Sequence, residues 1–335
     1  MRFKIFKYVR LGTRARDALT MALQDKPLSV AMLAPFEQVA AYMRNEAVAV
    51  TGGLPMLLGA LWNPWFACVV LMAALATIAF VLSEWYREYS MVDRYWSIQP
   101  VAMVLLVAAA APAFHPRLLV MAVLVTMWGS RLTYNYAIKG GYVLYKGEDY
   151  RWEYVRAMIA PNSEPLWTFF NLTFVCIVQT VLLGMISALP AYEALLHLDT
   201  PFGWKDVLVS IAWLMLFTGE VVADWQMWHF QRAKRALSKK EARKTKGFYD
   251  QGLYRFSRHP NYFCEVGMWV VFSLFGLVAS GEWWSSSCLG CVLLALLFNR
   301  STDLTERISA SKYPAYAEYQ RTTNMFFPWF PKDYK

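Results

Sequence analysis

The stretch GLYRFSRHPNYFCE, Gly252 to Glu265, runs straight into the apolar segment VGMWVVFSLFGLVAS, 266–280. Two arginines, a histidine, an asparagine and a carboxylate therefore stand at the mouth of a segment long enough to cross a bilayer, which takes about 20 apolar residues. Pro260 suits the first helical position, where its missing amide would bond nothing in any case. The spacing predicts a helix from Pro260 with Asn261, Glu265 and Trp269 on one face, four residues apart. Ionisable groups at a membrane boundary cost free energy, so they are functional candidates.

Working outward, the same alternation of polar ends and apolar middles recurs. Of the 335 residues 57% are hydrophobic and only 17% charged, against about 25% charged in soluble domains. Candidate spans are 65–83, 98–114, 117–137, 166–187, 207–230, 262–280 and 283–299. The stretch 47–62 is apolar but short, and Thr51, Gly52, Gly53 and Pro55 interrupt it. It divides the chain into a basic extension, 1–46, a short apolar segment, 47–64, and a transmembrane domain, 65–335. The fold class is all-α, a polytopic transmembrane helix bundle.

Charge orients the bundle. Residues 1–30 carry seven Lys/Arg against two acids, and residues 231–261 carry ten against two, within a net charge of +9. The loop 188–206 has one Lys and no Arg. The positive-inside rule puts 231–261 and the C-terminal tail in the cytoplasm and 188–206 on the far side. The basic N-terminus is then cytoplasmic if 47–62 also crosses. Anionic lipid headgroups or a phosphorylated cofactor are compatible uses of the basic segments. No RNA- or DNA-binding module accompanies them, so nucleic acid is not an expected partner.

Two further helices carry polar stripes. Arg131, Asn135 and Lys139 share one face, and Glu220 and Asp224 share another, followed by His229. Charges at equal depth on several helices are expected to pair around a water-accessible cavity. Arginine suits phosphate, while carboxylates accept from ribose hydroxyls and amides. Soluble cofactor fingerprints are absent: there is no G-x-G-x-x-G, P-loop or H-E-x-x-H. The histidines at 115, 197, 229 and 259 show no metal spacing, and Cys288-Leu-Gly-Cys291 lacks a second ligand pair. No metal site is expected, and no cleavable signal pattern precedes the first apolar run.

Several segments carry a resemblance. Val92-Asp-Arg-Tyr-Trp96, Trp128-Gly-Ser-Arg-Leu132, Glu148-Asp-Tyr-Arg-Trp152, Ala223-Asp-Trp-Gln226, the Gly252–Glu265 stretch, and Tyr313 to Thr323 followed by Pro328 run in order along the chain. Together they resemble the steroid 5-alpha-reductase-like integral-membrane family. The resemblance implies a seven-helix core, with 47–62 as an addition. It implies an integral membrane protein of the endoplasmic reticulum or of a bacterial cytoplasmic membrane. It also implies NADPH-dependent reduction of a carbon–carbon double bond in a lipid-soluble, enone-like substrate. The counterparts of Arg131, Asp224, Asn261 and Glu265 contact the cofactor in that family. The candidate cofactor-binding set is Arg131, Asn135, Asp224, Arg255, Arg258, His259, Asn261, Tyr262, Glu265, Tyr316 and Arg321. The family's tyrosine of a tyrosine–glutamate pair aligns with Trp128, so Asp93, Tyr95 and Tyr134 are the candidate catalytic groups instead. Two rivals remain. Membrane methyltransferases that use S-adenosylmethionine share "RHP-x-Y" but usually carry a Glu-Glu pair, where this chain reads Leu304-Thr-Glu-Arg307. A non-enzymatic lipid-binding or transport protein would keep Glu220 and Asp224 as a proton path.

Overall fold

The computed structural model describes residues 63–238 and 245–332, all within one compact unit, Leu57–Lys335. The extension 1–46, nearly all of the segment 47–64, and most of the Lys239–Lys246 run lie outside the described residues. Within them the chain is helical and carries no strand.

Helix α1 is Pro64–Tyr86. Asn63 caps it by accepting from the backbone N–H groups of Trp65 and Phe66 at 2.9 and 3.2 Å, and Pro64 starts it. A short helix α2, Met91–Tyr95, leads into α3, Ile98–Ala109, and α4, Pro116–Ile138. Helix α5 is Arg151–Ile159. Helix α6, Glu164–Phe170, runs on through a π-helical stretch, Asn171–Val178, into α7, Gln179–Leu196. Helix α8, Trp204–Ala236, has 33 residues and extends about 50 Å. A 3-10 turn, Gly252–Arg255, precedes α9, Pro260–Ser280; a second, Ser286–Cys288, precedes α10, Leu289–Lys312. Helix α11, Tyr316–Thr322, closes the chain.

Among the described residues, five helical runs are long and apolar enough to cross a membrane: α1, the 33-residue α6–α7 run, α8, α9 and 286–312. This is a polytopic membrane-type bundle. Two expectations need correction, at 98–114 and at 188–206. The span 98–114 is a helix of 12 residues that stops at Ala109, about 18 Å and too short to cross alone. The span 117–137 is one helix of 23 residues, about 34 Å and long enough to cross, although Arg117, buried, and Arg131, largely buried, lower its hydropathy and leave it outside the five. The expected loop 188–206 is helical as far as Leu196, with Pro190 inside the helix, so the true connection is only 197–203.

Helix α7 is the axis of the bundle, packing against α1, α3, α9 and α10. The core around it holds Met103, Met121, Leu183, Ile186, Met268, Phe272 and Phe275, all fully buried. Helix α10 comes within reach of the α7 backbone at Gly290, where a Cβ would stand 2.8 Å from the Ile186 nitrogen. Only glycine permits that approach. At one end of the bundle Arg117 is sealed from solvent and donates to Asp206 at 2.6 and 3.0 Å, and to the carbonyls of Thr200 and Pro201. Asp206 also accepts from the Gly203 N–H at 2.9 Å. The ion pair thus locks the 197–203 connection to α4. The other end, where α4 and α8 finish and α9 starts, gathers the polar stripes.

Candidate functional site

Three helices bring their stripes together. From α4, Arg131 lies 2.5 Å from Glu220 and 2.8 Å from Asp224, both on α8. Asn135, one turn further on α4, donates to Asp224 at 3.2 Å. From α9, Glu265 accepts from the indole N–H groups of Trp128 at 2.9 Å and Trp269 at 3.0 Å. The two indoles meet edge to face at 4.8 Å. Arg131 and Glu220 expose only 12% and 6% of their side chains. Such burial is tolerable because each charge has an opposite partner.

The hydrogen bonding of this cluster is incomplete. Arg131 Nε and Glu220 Oε2 are buried and bond nothing, and Arg131 Nη2, though close to Glu220, is not aligned for a hydrogen bond. Buried polar atoms in native proteins are nearly always satisfied, by protein, water or ligand. Asn261, one turn before Glu265 on the same face, is half-buried and makes no hydrogen bond among the described residues. With three carboxylates facing one guanidinium, the cluster is rich in acceptors. It suits ligand hydroxyls and amides better than ligand phosphate.

A second polar group adjoins it. Arg151 forks onto Asp149 and donates to Ser301 on α10. The Asp149 N–H donates to Ser90 Oγ at 2.9 Å, and the Trp152 indole donates to the same oxygen at 3.1 Å. Asp93 sits among Ser90, Asp149 and Arg151; burial, reinforced by the Asp149 charge, pushes its pKa up to about 6. Tyr262, on α9, lies within electrostatic reach of Arg151, Asp149 and Asp224. Tyr262 therefore joins the two groups into one polar lane, from Asp93 through Arg151 to Asp224 and Arg131.

The signature arginine has a different use. Arg258 donates to both oxygens of Glu306, at 2.6 and 2.8 Å, to the Gln320 carbonyl at 3.0 Å, and to the Thr323 carbonyl. Glu306 also pairs with His259 at 3.0 Å and accepts from the Gln320 amide at 2.9 Å. The backbone N–H groups of Arg258 and His259 donate to the carbonyls of Asn324 and Met325. Four of the five guanidinium N–H donors are thus taken, and the residue clamps the start of α9 to α10 and to the C-terminal segment. Before it, Gly252 adopts φ +58 with Gln226 so close that a Cβ would stand 2.5 Å from it. Gln226 Oε1 accepts the Leu253 N–H at 2.9 Å, which docks the turn on α8.

The remaining candidates scatter. Arg255 is exposed on that docked turn. Tyr316 is buried beside Glu306 and Arg258, on the clamp. Arg321 pairs with Glu318 on the surface, at 66% exposure. Tyr134 is 65% exposed and points away from the cluster formed by Arg131 and Asn135. Tyr95 shares a 2.7 Å hydrogen bond with Thr180 on α7. Sequence reasoning assigned no role to Asp149, Arg151 or Glu306, although Asp149 and Arg151 lie in a quoted motif. The charged dipeptides flanking an apolar run were the available signal.

A family model described as "Protein of unknown function (DUF1295)" matches residues 79–323, and the chain belongs to that family. An uncharacterized protein of Schizosaccharomyces pombe is 34% identical over 280 residues, covering 79% of this chain and 80% of its own length. The cobalt-zinc-cadmium resistance protein CzcN of Cupriavidus metallidurans is 31% identical over 86 residues, which is 26% of this chain and 38% of its own. No solved structure matches.

Proposed function

We propose that this member of the DUF1295 family is a membrane-embedded, NADPH-dependent reductase of a carbon–carbon double bond in a lipid-soluble substrate. The observation that carries the reading is the convergence of Arg131, Glu220, Asp224 and Glu265 from α4, α8 and α9 into one buried cluster with unsatisfied polar atoms. The resemblance of the ordered motifs to steroid 5-alpha-reductase-like proteins supports the same assignment. Among the residues present, Asn261, Glu220 and Asp224 fit the hydroxyl and amide groups of a dinucleotide, because they offer acceptors and a free amide at one helix-bundle end. The exposed Arg255 fits its phosphate better than Arg258, whose donors are spent. When bound, the cofactor would supply hydride.

The chain's own part is to hold the reactants, keep water out and deliver a proton. Trp128 and Trp269 wall the cluster with indole and fix Glu265 between them. Asp93 is the group suited to proton delivery, since a pKa of about 6 leaves it able to hold and release a proton near neutrality. Arg151 and Tyr262 orient that end of the lane. The fold faces lipid along its spanning helices, so the substrate reaches the lane from the bilayer.

The test is to purify the full chain in detergent and identify what co-purifies by absorbance and mass spectrometry, then to follow NADPH consumption with a panel of lipid-soluble enones. A bound dinucleotide and enone-dependent oxidation are expected. Bound S-adenosylmethionine with methyl transfer to a lipid or thiol would replace the reading with a methyltransferase. Neither ligand, with no turnover, would leave a lipid-binding or transport protein.

A further inference from the structure

A cleft of about 300 Å³ opens where α4 ends and α8 continues beyond the bundle, lined by Lys139, Trp228, Gln231, Arg232 and Arg235. Its three cations are exposed and make no ion pair or side-chain hydrogen bond among the described residues. That sets them apart from their neighbour Lys234. Lys234 is spent inside the protein, donating to the Gly247 carbonyl at 2.5 Å and the Tyr313 hydroxyl at 2.8 Å. Among the described residues no carboxylate lines the cleft. Helix α4 carries no acid, and the three of α8 lie deeper: Glu220 and Asp224 hold Arg131, and Asp206 holds Arg117 at the opposite end. Charge is therefore sorted along this pair of helices, with acids inside and unpaired cations at the rim.

Depth says what the rim meets. Helix α4 has 23 residues, about 34 Å, close to the thickness of a hydrocarbon core of about 30 Å. Lys139 follows its last residue, so the cleft stands at headgroup level. Tyr134 and Trp225, 65% and 60% exposed, ring the helices just inside that level, where amphipathic aromatic side chains favour the interface. Arginine forks match phosphate oxygens, and the half-buried Trp228 offers an apolar wall to the glycerol and first methylenes of a lipid. The wall of the cleft is mostly carbon, from Trp228 and the methylene stems of Lys139, Arg232 and Arg235. Its volume of about 300 Å³ takes the glycerol and first methylenes of a lipid but not a whole dinucleotide, while the phosphate meets the exposed charged ends at its edge.

We propose that the Lys139–Arg232–Arg235 cleft is a binding site for the phosphate of an anionic phospholipid, fixing one lipid at the rim between α4 and α8. The proposal goes beyond the reductase reading and does not rest on it. The site selects lipids whose phosphate carries a net negative charge and discriminates against zwitterionic headgroups, whose ammonium the three cations repel.

The experiment uses the full chain, delipidated in detergent, with added phosphatidylglycerol or phosphatidylcholine and native mass spectrometry to count retained lipids. Wild type should retain one phosphatidylglycerol and no phosphatidylcholine. Arg232→Gln/Arg235→Gln should weaken phosphatidylglycerol binding by on the order of 30-fold, and Lys139→Gln alone by about 5-fold. Arg300→Gln/Arg307→Gln, which removes two exposed charges elsewhere on α10, should bind as wild type. Melting curves check that each variant is folded; all five residues are exposed, and the single Lys139 variant provides an independent reading. Equal retention of the two lipids would overturn the proposal, as would undiminished binding by both cleft variants or equal loss in the α10 variant. Displacement of the lipid by inorganic phosphate or by NADPH at millimolar concentration would also overturn it, assigning the cleft to a soluble phosphate compound.

Discussion

Replacing Arg258 by alanine tests whether the signature arginine holds the fold or a ligand. The side chain is 9% exposed and its partner Glu306 is 7% exposed. It makes two charge-assisted bonds to Glu306 and bonds to the carbonyls of Gln320 and Thr323. Breaking a buried pair by removing one member costs about 3–5 kcal/mol, because the other charge stays buried. Here Glu306 keeps His259 and the Gln320 amide, so the lower figure, about 3 kcal/mol, applies. At about 2–4 °C per kcal/mol, Tm should fall by about 6–12 °C. Arg258→Lys keeps the charge but not the fork, and should recover less than half of the loss. Arg258→Ala/Glu306→Ala should melt no lower than Arg258→Ala, since the stranded carboxylate is gone. The assay is thermal melting in detergent, paired with titration of NADPH and NADH. A Tm within about 2 °C of wild type, together with loss of discrimination between the two dinucleotides, would refute the clamp and return Arg258 to the phosphate site.

Three further outcomes follow from the geometry. Asn261→Ala should leave Tm unchanged, because its amide bonds nothing in the protein, yet weaken dinucleotide binding by about 1 kcal/mol, roughly five-fold, in an equilibrium titration. Asp93 has its pKa raised from 3.8 to about 6, so its contribution to stability is complete below about 3.8 and is lost as pH rises through about 6; wild-type Tm should therefore drop across that range more than the Tm of Asp93→Asn. Arg117→Met should cost about 3–5 kcal/mol by stranding Asp206, while Arg117→Met/Asp206→Leu should restore most of it in melting curves, with the Arg131 cluster's ligand affinity unchanged.

Short-range features of the fold were legible and long-range partners were not. Pro260 at the start of α9, and Asn261, Glu265 and Trp269 on one face, follow from spacing within a single helix. So does the sharing of a face by Glu220 and Asp224. The helix ends were harder. Ala191 to Leu196 reads as a loop when charge alone is weighed, but its alanines and leucines favour helix, and α7 continues through Pro190. The span 98–114 contains enough apolar residues, yet the small residues after Ala109 lead into Pro112, which cannot continue a helix, and α3 stops. Arg258 meets Glu306 across 48 residues and Arg117 meets Asp206 across 89. Nothing local marks those partners; packing of α9 on α10 and of α4 against the 197–203 connection selects them. A cation beside an apolar run has the same appearance whether it clamps the chain or awaits a ligand. Arg258 clamps the chain, while Arg255, three residues before it, stays exposed.

The clamp and the candidate site share a helix turn, and this decides which measurement separates their roles. Arg258 and His259 anchor the residues immediately before Pro260. Asn261 and Glu265 occupy the first two turns of the helix that begins there. Loosening the clamp frees that end of α9 and lets Asn261 move, so the absolute affinity for any ligand of the cluster should fall in Arg258→Ala. A positioning loss of this kind acts on groups common to NADPH and NADH and lowers both affinities by one factor. Loss of a phosphate contact acts on NADPH alone. The ratio of the two affinities therefore isolates the phosphate site from the structure that supports it. On this geometry the ratio should survive in Arg258→Ala and fall in Arg255→Ala, the exposed arginine on the turn docked by Gln226.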